Sequence, residues 1–241
     1  MIHYHGGPIT PAEAAAKVWA KRHGFVSAAH RQQLEIAIEV CQSFAVDNGA
    51  FSAWIGGKDV DWNEYYEWVA SLIGLPGLDF AIIPDVIDGT EAENDALVDQ
   101  WPHGHHGVPV WHMHESIERL ISLCKRFPRV AIGSSGEYST VGSKKWFNRM
   151  AVAFNAICDE RGLPMAKIHG LRMLDPAIFS LFPFASADST NIAQNIGIDS
   201  AWRGTYQPPD KTWRAMVMAE RIESHNSARR WNREYEQLEL A

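Results

Sequence analysis

Cysteine is scarce in this chain, and what there is stands alone. Cys41, Cys124 and Cys158 are odd in number and far apart, with no CxxC or CxC pair. That spacing argues against a disulfide framework and against a structural zinc site built on thiolates. Each is expected on an apolar helix face, as a buried free thiol. Long hydrophobic runs are also missing, and none approaches the roughly 20 residues a membrane helix needs. Met1-Ile2-His3-Tyr4-His5-Gly6-Gly7-Pro8 has neither a basic n-region nor an apolar h-region. A soluble, cytoplasmic protein without membrane attachment is the expectation. Positive charge is in deficit, with 22 Lys and Arg against 29 Asp and Glu and a formal net charge of -7. This argues against a surface coated for non-specific nucleic-acid binding, though it leaves room for a local basic groove. Internal repeats and low-complexity segments are absent.

What is present is core material. Of 241 residues, 46% are hydrophobic and 10 are Trp. Length alone allows one or two domains, and an α/β barrel uses roughly 250 residues as a single one. Short apolar runs at 2–5, 25–28, 43–47, 80–84, 108–112, 130–133, 165–169 and 184–188 read as eight strands. Helical patterns fall between them. Thr10-Pro11-Ala12-Glu13 and Asp61-Trp62-Asn63-Glu64 look like helix starts, and Ile117, Leu120, Ile121 and Cys124 keep helical spacing. Asp175-Pro176 caps a short helix, and 211–240 reads as mostly one long helix. Strands alternating with helices predict a (β/α)8 TIM barrel, a single domain over 1–205 with a C-terminal helical segment over 206–241 packed on it.

Barrel chemistry sits at the C-terminal ends of strands. Those ends carry His5, Asp47, Asp85, His112, Gly133-Ser134-Ser135-Gly136-Glu137, His169 and Asp188, a set rich in acids and imidazoles. Asp188 reads as a nucleophile and Asp47 as the second carboxyl that manages protons. Each has a structural rival. Asp188 could cap its turn through Thr190, Asp47-Asn48-Gly49 could be a plain turn, and Asp85 could be a helix N-cap. Phe51 alone suits a core, and Gly133 to Gly136 alone is a common turn. His103, His105 and His106 read as solvated loop residues. The pairs His3/His5 and His112/His114, with His169 and Asp188, keep open a metal-dependent barrel hydrolase. Lys144, Lys145 and Arg149, after the Gly/Ser turn, are placed to meet backbone phosphates, with a solvated helix face as the alternative. The tail interleaves Lys211, Arg214, Arg221, Arg229, Arg230 and Arg233 with Trp202, Trp213 and Trp231, but Glu220, Glu223, Glu234, Glu236 and Glu239 share it. A helix closing the barrel or forming a homodimer contact is favoured over a phosphate grip.

Four motifs in order carry a family resemblance. Asp47-Asn48-Gly49-Ala50-Phe51 resembles the Asp-Ser-Gly-Gly-aromatic element of the tRNA-guanine transglycosylases. Ile83-Pro84-Asp85 is similar in placement to that family's second base-recognising aspartate. Ile132-Gly133-Ser134-Ser135-Gly136-Glu137 resembles its Gly-rich strand end, and Asp188-Ser189-Thr190-Asn191-Ile192-Ala193-Gln194-Asn195 its nucleophile segment. The resemblance covers about residues 43–195 and implies exchange of a guanine base through a covalent Asp188-glycosyl intermediate. It further implies that Asp85 accepts from N1–H and the exocyclic amine, that Phe51 stacks on the base, and that backbone groups at Gly133 and Ser134 reach O6. His112 and His169 are expected to pack against a carboxylate or the base, and Asn195 to lie around the base. The family's zinc-binding Cys/His insertion is missing, Gln194 stands where it has an arginine, and the chain is shorter. Those departures fit a branch that installs 7-deazaguanine bases in DNA, often in phage, better than one acting on tRNA. The expected partners are DNA and a small 7-deazaguanine base, with no cofactor and no metal. A non-catalytic nucleic-acid-binding subunit of such an enzyme is the remaining alternative.

Overall fold

Alternation along short strands decides the architecture. The computed structural model describes residues 1–57 and 60–233. In β3 (Ser43–Asp47), Phe44 and Val46 face the surrounding helices while Ala45 and Asp47 face the opposite way. The same period of two runs through β1 (Ile2–Gly6), β2 (His23–Ser27), β4 (Leu78–Ile82), β7 (Arg129–Gly133), β8 (Lys167–Gly170) and β9 (Ser186–Ser189). Tyr4, Phe25, Ala45, Phe80, Ile82, Val108, Val110 and Ala131 make one buried cluster, which fills the interior of the sheet. The larger cluster lies between the sheet and the helices.

All pairings are parallel, in the order β5-β4-β3-β2-β1-β9-β8-β7-β6. The result is a nearly closed, TIM-barrel-like α/β fold of nine strands in a single domain. The ninth strand is a correction to the eight expected. The run 108–112 is split into β5 (Gly107–Val108), which pairs with β4, and β6 (Val110–His112), which pairs with β7. Pro109 lies between them. It has no N–H to give a ladder, and its carbonyl accepts from Ala131 N at 2.9 Å.

The outer layer comprises α1 (Ala12–Trp19), α2 (Leu34–Val40), α3 (Ala50–Gly56), α4 (Trp62–Leu72), α5 (Glu91–Gln100), α6 (Ile117–Arg126), α7 (Lys144–Ile157), α8 (Pro176–Phe179), α9 (Asn191–Asn195) and α10 (Lys211–Glu223). Asp61 caps α4 through the amides of Asn63 and Glu64, and Asp175 caps α8 through Ala177 N. At α1, Pro11 rather than Thr10 holds the cap position, and no side chain caps it. The helices α3 and α9 were not expected, because each is short and follows a polar turn. Two of the cysteines correct their expected place. Cys124 lies on α6, but Cys41 and Cys158 are the residues just after α2 and α7. All three are free thiols, and burial pushes each up to about 12.

The C-terminal helix ends at Glu223 rather than running on, because 224–227 reads Ser-His-Asn-Ser, which favours turns over helix. The expected helix beyond 233, with Glu234, Glu236 and Glu239, lies outside the described residues. Trp231 packs on Phe182 with centroids 5.6 Å apart, and its backbone N–H donates to Gly162 O. Gly162, at φ 77°, has to be glycine, since a Cβ there would sit 2.2 Å from Trp231 O.

The helix α10 packs against α1, and its last residue fastens it. Glu223 accepts from His5 Nε2 at 2.9 Å and Arg22 Nε at 2.7 Å. Burial alone would raise the Glu223 carboxyl, but the hydrogen bonds and charges of His5 and Arg22 outweigh it and hold it down at about 2. That stabilisation is present above the ordinary glutamate range and is lost as pH falls toward 2. Glu223→Gln is therefore expected to cost about 1–2 kcal/mol at pH 7 and to flatten the acid limb of thermal stability between pH 4.5 and 2. Melting curves identical to wild type at pH 7 would show that the clamp contributes nothing.

Candidate active site

The site forms where inward-facing strand positions pass the top of the barrel filling. Below it, His169 on β8 is fully buried among Tyr4, Phe25 and Phe80, with ring centroids 5.9, 5.6 and 5.2 Å away. Its Nδ1 lies 2.8 Å from Ser186 Oγ and its Nε2 3.2 Å from Asp188 Oδ1. In the tautomer that donates from Nε2 to the Asp188 carboxylate, Nδ1 accepts from the Ser186 hydroxyl. Asp188 Oδ1 also accepts from Arg172 N at 3.0 Å. The carboxylate is thus held from beneath and from one side. It does not cap its turn, which is closed instead by Asn191 N donating to Ser189 Oγ at 2.9 Å.

Asp47 ends β3 and does two jobs. Its Oδ2 accepts from Ser27 Oγ and from Gly49 N, each at 3.0 Å, so it builds the turn that the sequence suggested. Gly49, at φ 82°, lets the chain double back against Ala29 N, which a Cβ would meet at 3.1 Å. The Asp47 carboxyl also faces the cavity. Burial, then the charges of Asp188 and Asp85, push it up to about 6 against the two hydrogen bonds that favour the charged form.

Asp85 follows β4 and is buried. It is not a helix cap, because Thr90 caps α5 in a reciprocal capping box with Glu93. Its Oδ1 accepts from Asn48 Nδ2 at 2.6 Å, and its Oδ2 lies 2.9 Å from His112 Nε2. The His112 ring is not aligned for a directed hydrogen bond, and both its nitrogens are buried without one, so the pair is an electrostatic contact. Asn48 is itself fixed, donating to Ile83 O and accepting from Ala50 N.

These groups line a cavity of about 760 Å³. Of the expected residues, Asp188, Asp47, Asp85, Phe51, Gly133, Ser134 and His112 are on its wall. The others lie off it. His169 supports Asp188 from below and does not line the cavity. Asn195 closes its amide on Asn191 within α9, while Gln194, which donates to Thr190 Oγ1, lies on the wall. Arg149 gives Nε to Met113 O at 2.8 Å and Nη2 to Glu115 O, and its guanidinium lies over Trp111 and Tyr138. It buttresses the loop after β6. Lys144 and Lys145 are exposed beyond the cavity, and Lys145 pairs with Glu137.

Three groups carried no sequence signal strong enough to single them out. Asn48 was absorbed into the turn. Glu115 is a buried hub, accepting from Asn94, Arg119 and His112 N. Arg172 holds φ 60° and lays its guanidinium over Phe51, 3.9 Å from the ring centroid. Nothing in the residue type forecasts a left-handed backbone there.

The histidine pairs settle differently from one another. His3 and His5 point out of the barrel, toward His225 O and Glu223, so they offer nothing to a metal at the mouth. His114 is bonded to Ser135 Oγ and Gly89 O. Among the described residues, no group of three or more His, Cys, Asp or Glu is arranged to hold a metal ion. No family model, no curated protein and no solved structure matches the chain.

Asp47 generates a test of the site's electrostatics. A carboxyl whose folded value is raised contributes stability below its unfolded value, near 4, and that contribution is lost as pH rises through about 6. Asp47→Asn is expected to raise the melting temperature by several degrees at pH 7.5, with the gain vanishing below pH 4. A variant no more stable than wild type at pH 7.5 would contradict the half-buried, charge-crowded setting.

Proposed function

We propose that the cavity exchanges a guanine base at a glycosidic bond, with Asp188 as nucleophile and Asp47 as the proton-handling acid and base. The observation that carries this is a pair of carboxyls on one cavity wall in unlike settings. Asp188 is fixed by His169 and Arg172 N, while Asp47 is raised to a value near neutrality. A fixed carboxylate suits attack on C1′, and an acid near 6 suits giving and taking a proton at neutral pH.

The steps balance. An Asp188 oxygen forms a bond to C1′ as the C1′–N9 bond breaks, and the departing purine takes the proton of Asp47. An incoming base then loses a proton to Asp47 as its ring nitrogen attacks C1′, and the ester to Asp188 breaks. Asp85, steadied by Asn48 and His112, is available to accept from N1–H and the exocyclic amine. Backbone groups at Gly133 and Ser134 border the same cavity. A base reaches such a pocket only from a single strand or after leaving the duplex stack.

The polymer proposed is DNA and the incoming base a 7-deazaguanine. Both rest on the likeness to the transglycosylase motifs and on the departures from the tRNA-acting pattern, of which Gln194 stands on the cavity wall. No helix among the described residues is long and apolar enough to cross a membrane.

The test is incorporation of radiolabelled guanine and of 7-cyano-7-deazaguanine into duplex DNA, single-stranded DNA and tRNA. Label is expected in DNA, reduced about 10³-fold or more by Asp188→Ala. Label in tRNA alone would overturn the choice of polymer. No label in any polymer, or label undiminished in the variant, would overturn the reaction.

A further inference from the structure

We infer that Arg172 covers the base site and, when substrate enters, becomes the contact for a phosphate on the nucleotide whose base is bound. The substrate would then be a guanine nucleotide rather than a nucleoside or free base. This rests on the guanine-site reading above and adds a substrate requirement to it.

Asp47, Asp85 and Asp188 face one cavity, and among the described residues Arg172 is the only Lys or Arg on its wall. A phosphate brought beside three carboxyls is repelled unless a cation meets it. Arg172 is exposed, and among the described residues its guanidinium pairs with no carboxylate, although three carboxyls line the same cavity. It rests instead flat on Phe51. A guanidinium stacked on a ring keeps its N–H edge free to meet phosphate oxygens, which a lysine cannot do in the same way.

The second observation is conformational. Arg172 is one of two non-glycine residues with positive φ among those described, and a non-glycine residue adopts that conformation at a cost. What holds it there is its own N–H, donated to Asp188. The proposed nucleophile and the cover are therefore joined by one hydrogen bond, and the side chain lies on Phe51, which lines the same cavity. A base stacking on that face of Phe51 must displace the guanidinium toward the rim, where the sugar and its phosphate would lie.

The experiment is calorimetric titration of deoxyguanosine, deoxyguanosine 5′-monophosphate, a guanine-containing single-stranded oligonucleotide and oligothymidylate. Wild type, Arg172→Ala and Arg172→Lys are compared after melting curves have shown each folded. Wild type is expected to bind the monophosphate about 10-fold more tightly than deoxyguanosine. Arg172→Ala should lose that preference, Arg172→Lys should keep part of it, and the salt slope of oligonucleotide binding should fall by about 0.7 in Arg172→Ala. Monophosphate bound as tightly as the strand identifies a free nucleotide, and tighter binding of the strand identifies nucleic acid; both uphold the inference. Arg172-dependent binding of oligothymidylate without any guanine preference upholds the phosphate contact while sinking the guanine reading. A wild type indifferent to phosphate, or a preference that survives in Arg172→Ala, overturns the inference even if base exchange is observed.

Discussion

A closed parallel barrel gives each strand two faces and only one way to use them. Inward positions in the middle must fill the interior, and the next inward positions up must live at its open end. Here Tyr4, Phe25, Phe80 and His169 occupy the middle layer. Tyr4 reaches down to Asp79, which also accepts from Arg129 at 3.0 Å, so the lower end is closed by a polar network. The carboxyls of Asp47 and Asp188 stand above that filling with no further layer over them. The site exists because the strands are too short to bury it.

The same layer supplies the wiring. His169 belongs to the filling by its ring contacts and to the site by its hydrogen bond to Asp188, with the Ser186 hydroxyl holding the ring's other nitrogen. One residue thus transmits the packing of the barrel to the orientation of the proposed nucleophile. Asp47, at the end of β3, accepts from the Ser27 hydroxyl and the Gly49 amide, and burial and neighbouring charge raise its proton affinity. Two carboxyls in such unlike settings are what the proposed nucleophile and acid/base would need.

The barrel was legible because apolar runs and helix starts alternate with little ambiguity, and the strand-end acids were legible because barrel chemistry collects there. Side-chain direction was less so. The run Ile2-His3-Tyr4-His5 alternates whichever face is inside, and only the packing of Tyr4 on Phe80 sends both histidines outward. Pro109 was visible in the fifth strand, but not that it would place the two halves on opposite edges of the sheet. Lys144, Lys145 and Arg149 were credited to phosphate binding by nearness in sequence, whereas a helix turns Arg149 back onto the β6 loop. Arg172 was invisible because its placement goes with a left-handed backbone angle and a hydrogen bond that its own N–H donates to Asp188 on β9.

The central claim is that Asp188 forms a bond to the sugar, and the most direct measurement is intact-mass spectrometry of protein quenched in acid after mixing with a guanine-containing oligonucleotide. The account predicts a covalent adduct of the strand lacking its base, mapped by proteolysis to the peptide containing Asp188 and lost in Asp188→Ala. Base release or exchange with no adduct under any quench, or an adduct mapped to Asp47, would contradict it.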